Sequence, residues 1–133
     1  MSRRPVLVVL LLIMATGSSV AQTSRRSFQT SDGVTLSFIE SGRAFSEKSP
    51  SIVLIPGWSM PAAIWRGQID YLGRRFHTLA LDPRGQGESE VAVGGYTAER
   101  RASDIKEFLE TFSKVLLVGW SLGAIESLQY VHM

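Results

Sequence analysis

The chain has no cysteine, which excludes disulfides, thiolate nucleophiles and sulfur-ligated metal sites together. Histidine is nearly as scarce: His77 and His132 are the only two, so an imidazole base has two candidates. An excess of one charge sign is also missing. Lys and Arg number 14 against 12 Asp and Glu, and Arg3 and Arg4 at the very start make up the whole difference. The balanced remainder holds no basic cluster interleaved with aromatics, which argues against a nucleic-acid partner and for a small neutral substrate. The longest apolar run, Val6 to Ala15, falls well short of the roughly 20 residues of a membrane-spanning helix, so no stable membrane anchor is expected. Neither of the glycine-rich phosphate-loop patterns occurs.

What is present is the composition of an ordinary globular protein: 133 residues, 44% hydrophobic and 20% charged, enough for one domain with a core. The first 21 residues stand apart. Arg3 and Arg4, the apolar run and the small residues Ser19-Val20-Ala21 form the three parts of a cleavable signal peptide, with cutting expected after Ala21. This predicts a periplasmic or secreted protein with a domain over residues 22–133. Ser2-Arg3-Arg4-Pro5-Val6-Leu7 is also a partial twin-arginine pattern, an alternative to general secretion.

Beyond a polar segment from Gln22 to Ser27, strand-like and helix-like stretches alternate. Phe28 to Thr30 and Val34 to Ser41 flank the turn sequence Ser31-Asp32-Gly33 and predict an antiparallel hairpin. Ile52 to Ile55 is a short apolar run of the kind buried on both faces of a parallel sheet, Phe76 to Leu81 reads as a second buried-type strand and Val115 to Val118 as a third apolar strand. Helices are expected between and after them: over Ala62 to Leu72, after the cap Thr97 with an inward stripe of Ala102, Ile105, Leu109 and Phe112, and over Leu122 to His132. The charges of the second helix, among them Glu99, Arg101, Asp104, Lys106, Glu107 and Glu110, are read as a solvated face. This order predicts an α/β fold, with a mostly parallel sheet, an N-terminal antiparallel hairpin and helices on both faces. Ligands of such sheets bind at the carboxyl ends of the strands.

Three motifs fall at those ends. Gly119-Trp120-Ser121-Leu122-Gly123 is a G-x-S-x-G between a predicted strand and a predicted helix, which makes Ser121 the candidate nucleophile. The glycines keep side chains clear of a turn sharp enough to expose the hydroxyl. Leu54-Ile55-Pro56-Gly57-Trp58 ends an earlier strand. Acyl transfer needs two backbone donors for the oxyanion, and the N–H groups of Trp58 and Leu122 are the candidates. The third motif is Asp82-Pro83-Arg84-Gly85-Gln86-Gly87-Glu88-Ser89.

With all three in this order, Phe28 to Met133 resembles the N-terminal half of an α/β-hydrolase domain, especially the small single-domain serine esterases, the cofactor-free, haloperoxidase-like perhydrolases and related C–C or epoxide hydrolases. The resemblance implies that Asp82 and Arg84 brace loops beside the site, and that no cofactor or metal is used. It also implies a triad acid and histidine in the order Ser, Asp or Glu, His, after the nucleophile. Two departures stand out. Pro56-Gly57 replaces the His-Gly common at the oxyanion loop, and the sequence ends in the helix after the nucleophile.

Neither histidine fills the vacancy. His132 lies roughly 16 Å along the helix from Ser121, and His77 starts a strand whose far end is the active edge, also roughly 16 Å away. A general base has to come within about 3 Å of its proton, so both are read as structural or surface residues. Glu126 is read as a surface charge rather than the triad acid. The expectation is therefore a carboxylic ester hydrolase working through an acyl-enzyme, inactive as a fragment, with Trp58 and Trp120 at the substrate entrance and a small ester as substrate. A perhydrolase using the same serine and a non-catalytic truncated product remain alternatives.

Overall fold

The computed structural model describes residues 22–42 and 49–133, and the leader expected over residues 1–21 lies outside them. The hairpin forms as expected, from β1 (Thr23–Gln29) and β2 (Thr35–Ser41). Its turn closes through Gly33 N–H to Thr30 C=O at 2.9 Å, with Gly33 at φ 85°, a conformation open to glycine and resisted by other residues. β1 starts earlier than its apolar content suggests: Thr23 to Ser27 is strand, and Thr30 belongs to the turn. A polar edge strand needs no buried face when its side chains are tied down, and Arg25 supplies the tie. It donates to Ser37 Oγ at 2.7 Å and pairs with Asp82 at 2.6 Å and Glu88 at 3.2 Å.

β3 (Ser51–Ile55), β4 (Thr78–Leu81) and β5 (Val115–Gly119) run parallel to one another, and the sheet order is β1-β2-β4-β3-β5. Every residue of β3 and β4 is buried, as continuous apolar runs covered on both faces should be. β4 begins at Thr78 rather than Phe76, because Phe76 N–H turns back to Leu72 C=O at 2.9 Å and completes the preceding helix end. Among the described residues β5 pairs with β3 alone and forms the opposite edge, with Leu116 exposed.

One face of the sheet is covered by a 3-10 turn (Ala62–Trp65) running into α1 (Arg66–Leu72), which buries Ala62 and Ile69 against Ile39, Ile52, Leu54 and Ala80. The other face carries α2 (Ala98–Leu109) and α3 (Leu122–His132). Thr97 caps α2 as expected, its Oγ1 accepting from Arg100 N–H at 3.2 Å. Phe108, outside the anticipated inward stripe, is the centre of this layer, with the rings of Phe38, Phe112 and Phe28 at 5.0, 5.6 and 5.9 Å.

The reading of α2's charges as a solvated face fails for Arg101 and Asp104, which are both buried. Asp104 accepts from Arg84 Nε at 2.6 Å and from its Nη2 at 2.7 Å, and the same guanidinium reaches Asp32 at 3.0 Å and Gly94 C=O at 3.1 Å. A buried charge is tolerable only with partners of this quality. The Thr30 hydroxyl and the Arg84 guanidinium together outweigh desolvation and hold the Asp32 carboxyl below its ordinary value. Arg84 thereby fastens the hairpin turn, the loop after β4 and α2 to one another.

Candidate active site

β3, β4 and β5 end at the same edge of the sheet, and each of the three motifs is the loop leaving one of them. Ser121 follows β5 with φ 54° and ψ −119°. Those are the angles of the first central residue of a type II′ turn, a place normally held by glycine. The turn is closed by Gly123 N–H donating to Trp120 C=O at 2.9 Å, and α3 starts at once, Ala124 N–H bonding to Ser121 C=O at 3.0 Å. Holding a non-glycine residue there costs on the order of 1–3 kcal/mol. The side chain it carries is exposed at the sheet edge.

The flanking glycines are required by backbone crowding. A Cβ on Gly119 would sit 2.5 Å from Gly123 O and 2.6 Å from Ala124 N, and one on Gly123 would meet Pro56 O and lie 2.5 Å from Ile55 O. Gly57, on the neighbouring loop, faces the serine directly, since a Cβ there would be 3.1 Å from Ser121 Cβ and from Trp120 Cδ1. Beside this contact, neither Trp58 N–H nor Leu122 N–H has a hydrogen-bond acceptor among the described residues. The side chains of Trp58 and Trp120 are mostly exposed. A cavity of about 80 Å³ opens next to Trp58, Gln86 and Tyr96, well below the roughly 300–1,000 Å³ of a small-molecule site. The described residues thus supply one wall of a site.

The loop after β4 supports that wall. Asp82 is fully buried and accepts from Ala62 N–H at 2.5 Å and Glu88 N–H at 3.2 Å, so it joins the start of the 3-10 turn to its own loop. Gln86, to which the sequence reading assigned nothing, touches the oxyanion-loop candidate three times. Its Nε2 donates to Gly57 C=O at 3.1 Å and Met60 C=O at 2.9 Å, and its Oε1 accepts from Ser59 N–H at 3.0 Å.

Glu126 is not the surface charge it was read to be. It is fully buried on the side of α3 that meets α2, and Arg101 Nε donates to its Oε1. Burial pushes the Glu126 carboxyl above its ordinary value, and the attraction of Arg101 opposes this without cancelling it. Two sequence signals were available. Arg101 shares helical spacing with Ile105 and Phe108, and Glu126 is the one charged residue between Leu122 and Val131.

The histidines stand apart from Ser121. His132 is exposed in the last turn of α3. His77 is buried where β4 begins, its Nδ1 2.8 Å from Ser51 Oγ and its Nε2 2.7 Å from Glu40 Oε1. This is a serine-histidine-carboxylate chain in its contacts, but Ser51 is wholly buried and pairs in register with Val115, the opposite end of β5 from the elbow. It ties β2, β3 and β4 together there. Among the described residues no group of His, Asp and Glu is placed to hold a metal ion, and no helix is long and apolar enough to cross a membrane.

Comparison with known proteins identifies the family and the fold. The model of the alpha/beta hydrolase family matches residues 52–132. The chain is 34% identical over 88 residues to the pimeloyl-[acyl-carrier protein] methyl ester esterase of Methylococcus capsulatus, covering 66% of this chain and 34% of that protein. It is 29% identical over 83 residues to the soluble epoxide hydrolase of Corynebacterium sp., covering 61% of this chain and 29% of that one. Among solved structures, Cfl2 of Burkholderia cenocepacia superposes with a TM-score of 0.75 at 28% identity, over 86% of this chain and 38% of that chain. The chain spans about a third of the length of these relatives.

Proposed function

Because the chain belongs to the alpha/beta hydrolase family, we propose that it carries the nucleophile of a serine hydrolase acting on carboxylic esters. The observation that supports this is Ser121 itself: a serine held at φ 54° between a strand and a helix, with the unmatched N–H groups of Trp58 and Leu122 nearby. A strained residue that survives at a sheet edge points to function. In this reading Ser121 Oγ attacks the ester carbonyl, the carbonyl electron pair moves onto oxygen, and the two N–H groups donate to that oxyanion. Collapse of the tetrahedral intermediate breaks the C–O bond to the alkoxide, which takes up the proton a general base removed from the Ser121 hydroxyl and leaves as the alcohol. Water then releases the acid from the acyl-serine and restores the Ser121 hydroxyl. Neither histidine of the chain reaches Ser121, so neither is the base of this mechanism. The methyl ester esterase among the relatives supports an ester, and the epoxide hydrolase marks the main competing chemistry.

The test is chemical labelling. Protein expressed from its complete reading frame and treated with a fluorophosphonate should carry one adduct, on the tryptic peptide beginning at Val115, and fragmentation should place it on Ser121 rather than Ser127. No adduct, or an adduct on another residue, overturns the assignment.

Residues 1–21 support export, and the protein is proposed to be periplasmic or secreted. Its mature form should start at Gln22, which N-terminal sequencing of the exported fraction checks. Exported material beginning at Met1 would contradict it.

A further inference from the structure

The serine hydrolase reading names the groups that would touch substrate but leaves open what holds the oxyanion loop against the elbow. We propose that Gln86, Arg101 and Glu126 form a buried relay that aims the Trp58 N–H, which makes them positioning residues for the reaction assigned to Ser121; the proposal rests on that assignment.

The geometry starts at one peptide plane. In a trans peptide the C=O and the following N–H point in opposite directions. Gln86 Nε2 donates to Gly57 C=O at 3.1 Å, so it fixes the Gly57–Trp58 plane and turns the Trp58 N–H away from itself. The next peptide is held by the same amide, since Ser59 N–H donates to Gln86 Oε1 at 3.0 Å. Ser59 takes φ 59°, a conformation a serine leaves unless its surroundings hold it. One glutamine therefore clamps both peptides that flank the Trp58 Cα.

A glutamine amide can flip, and flipped it would set an NH₂ against Ser59 N–H and its oxygen against two carbonyls. Arg101 prevents this. A guanidinium only donates, and Arg101 Nη2 donates to Gln86 Oε1 at 3.3 Å, so the oxygen is held on the Ser59 side. The Arg101 Cζ also lies 5.9 Å from the centre of the Trp58 ring, a cation–π distance. Glu126 in turn anchors Arg101 through Nε. Glu126 sits on α3, five residues after Ser121, and Arg101 on α2, so the relay connects the oxyanion loop to the very helix that the nucleophile begins. All three side chains are buried, and hydrogen bonds among buried groups are stronger than the same bonds in water.

The test separates positioning from folding. Arg101→Met alone would strand a buried carboxylate and is expected to unfold much of the protein, but the double variant Arg101→Met/Glu126→Leu removes both charges, and such apolar replacements of a buried pair commonly keep stability. In protein from the complete reading frame, the double variant and Gln86→Leu should still melt cooperatively. Exchange of the Ser59 amide, followed by NMR, should be faster by about tenfold or more as its bond loosens. Turnover of p-nitrophenyl acetate should lose about tenfold in kcat with KM changed less than about twofold, the signature of a donor misaimed only for the transition state. Glu126→Gln, which keeps an acceptor for Arg101, should retain slow Ser59 exchange. A folded double variant with the parent's Ser59 exchange and kcat overturns the relay. Failure of the function itself looks different: Ser121→Ala turns over ester as fast as the parent, while Ser59 exchange still reports on Gln86.

Discussion

Ser121→Gly should abolish ester turnover and at the same time make the protein more stable. The first half follows from the proposed mechanism, in which the variant loses the attacking oxygen, a loss that in a serine hydrolase lowers kcat by on the order of 10⁴–10⁶. The second half follows from the backbone. Ser121 sits at φ 54° and ψ −119°, where a side chain costs on the order of 1–3 kcal/mol and glycine costs almost nothing. Glycine also loosens the unfolded chain, which offsets about 0.4–1 kcal/mol of that relief, leaving a net gain of about 1 kcal/mol. Ser121→Ala separates the two effects: it keeps the Cβ and therefore the strain, so it should lose the same activity and gain no stability. The measurements are p-nitrophenyl ester turnover and thermal or urea unfolding of the three proteins side by side. A glycine variant no more stable than the alanine variant would mean that the elbow is relaxed as serine, and turnover surviving in either would place the nucleophile elsewhere. A residue that destabilises its own fold and is kept nonetheless is the usual trace of a functional constraint.

How much of this was legible in the sequence depended on how local each feature is. β3 could be read because a strand buried on both faces has to be apolar along its length, as Ile52 to Ile55 is, whereas β5 was read from the equally apolar Val115 to Val118 although it lies at the edge of the described sheet with Leu116 exposed. The elbow was legible in part for a similar reason: the steric demand at Gly119 is made by Gly123 and Ala124, within five residues of chain, while that at Gly123 is made by Ile55 and Pro56 at the end of β3. The first part of β1 was not, because an edge strand with Arg25 tied to Asp82 and Glu88 needs no apolar face, and Gln22 to Ser27 read as a polar segment ahead of the hairpin. Arg101, Asp104 and Glu126 were misassigned to solvent on residue type alone. A charge is usually exposed, and what buries these three is a partner on another element, Arg101 for Glu126 and Arg84 for Asp104. Gln86 was invisible for the same reason in stronger form. Its partners Gly57, Ser59 and Met60 lie more than 20 residues earlier, and nothing in the stretch Arg84-Gly85-Gln86-Gly87 distinguishes a clamp from a spacer.

The glycines of the chain offer a graded test of the elbow, because alanine should move stability in opposite directions at different positions. Gly67 lies exposed in α1 with no atom within 4 Å of a Cβ built on it. Gly67→Ala should therefore stabilise by about 0.5–1 kcal/mol, the ordinary gain from removing a helical glycine. Gly123 is also helical, so helix propensity alone predicts the same gain for Gly123→Ala. Its Cβ, however, would lie 2.5 Å from Ile55 O and closer still to Pro56 O, and both obstacles are backbone at the end of a buried strand. Neither can swing aside as a side chain tip would, so α3 has to move away from β3. Overpacking of this kind costs about 1–3 kcal/mol, which exceeds the propensity gain and reverses the sign. The displacement should also reach the chemistry. In the proposed mechanism Leu122 N–H, immediately before Gly123, is an oxyanion donor, and losing one such donor lowers kcat by about 10²–10³, the upper bound for a shift that misplaces the donor without deleting it. Urea midpoints at unchanged slope read the stability, since an altered slope would signal a changed unfolded or native ensemble instead. If Gly123→Ala proves as stable and as active as Gly67→Ala, α3 does not pack on the end of β3 as closely as this elbow requires, and the steric argument for a nucleophile turn at Ser121 loses its footing.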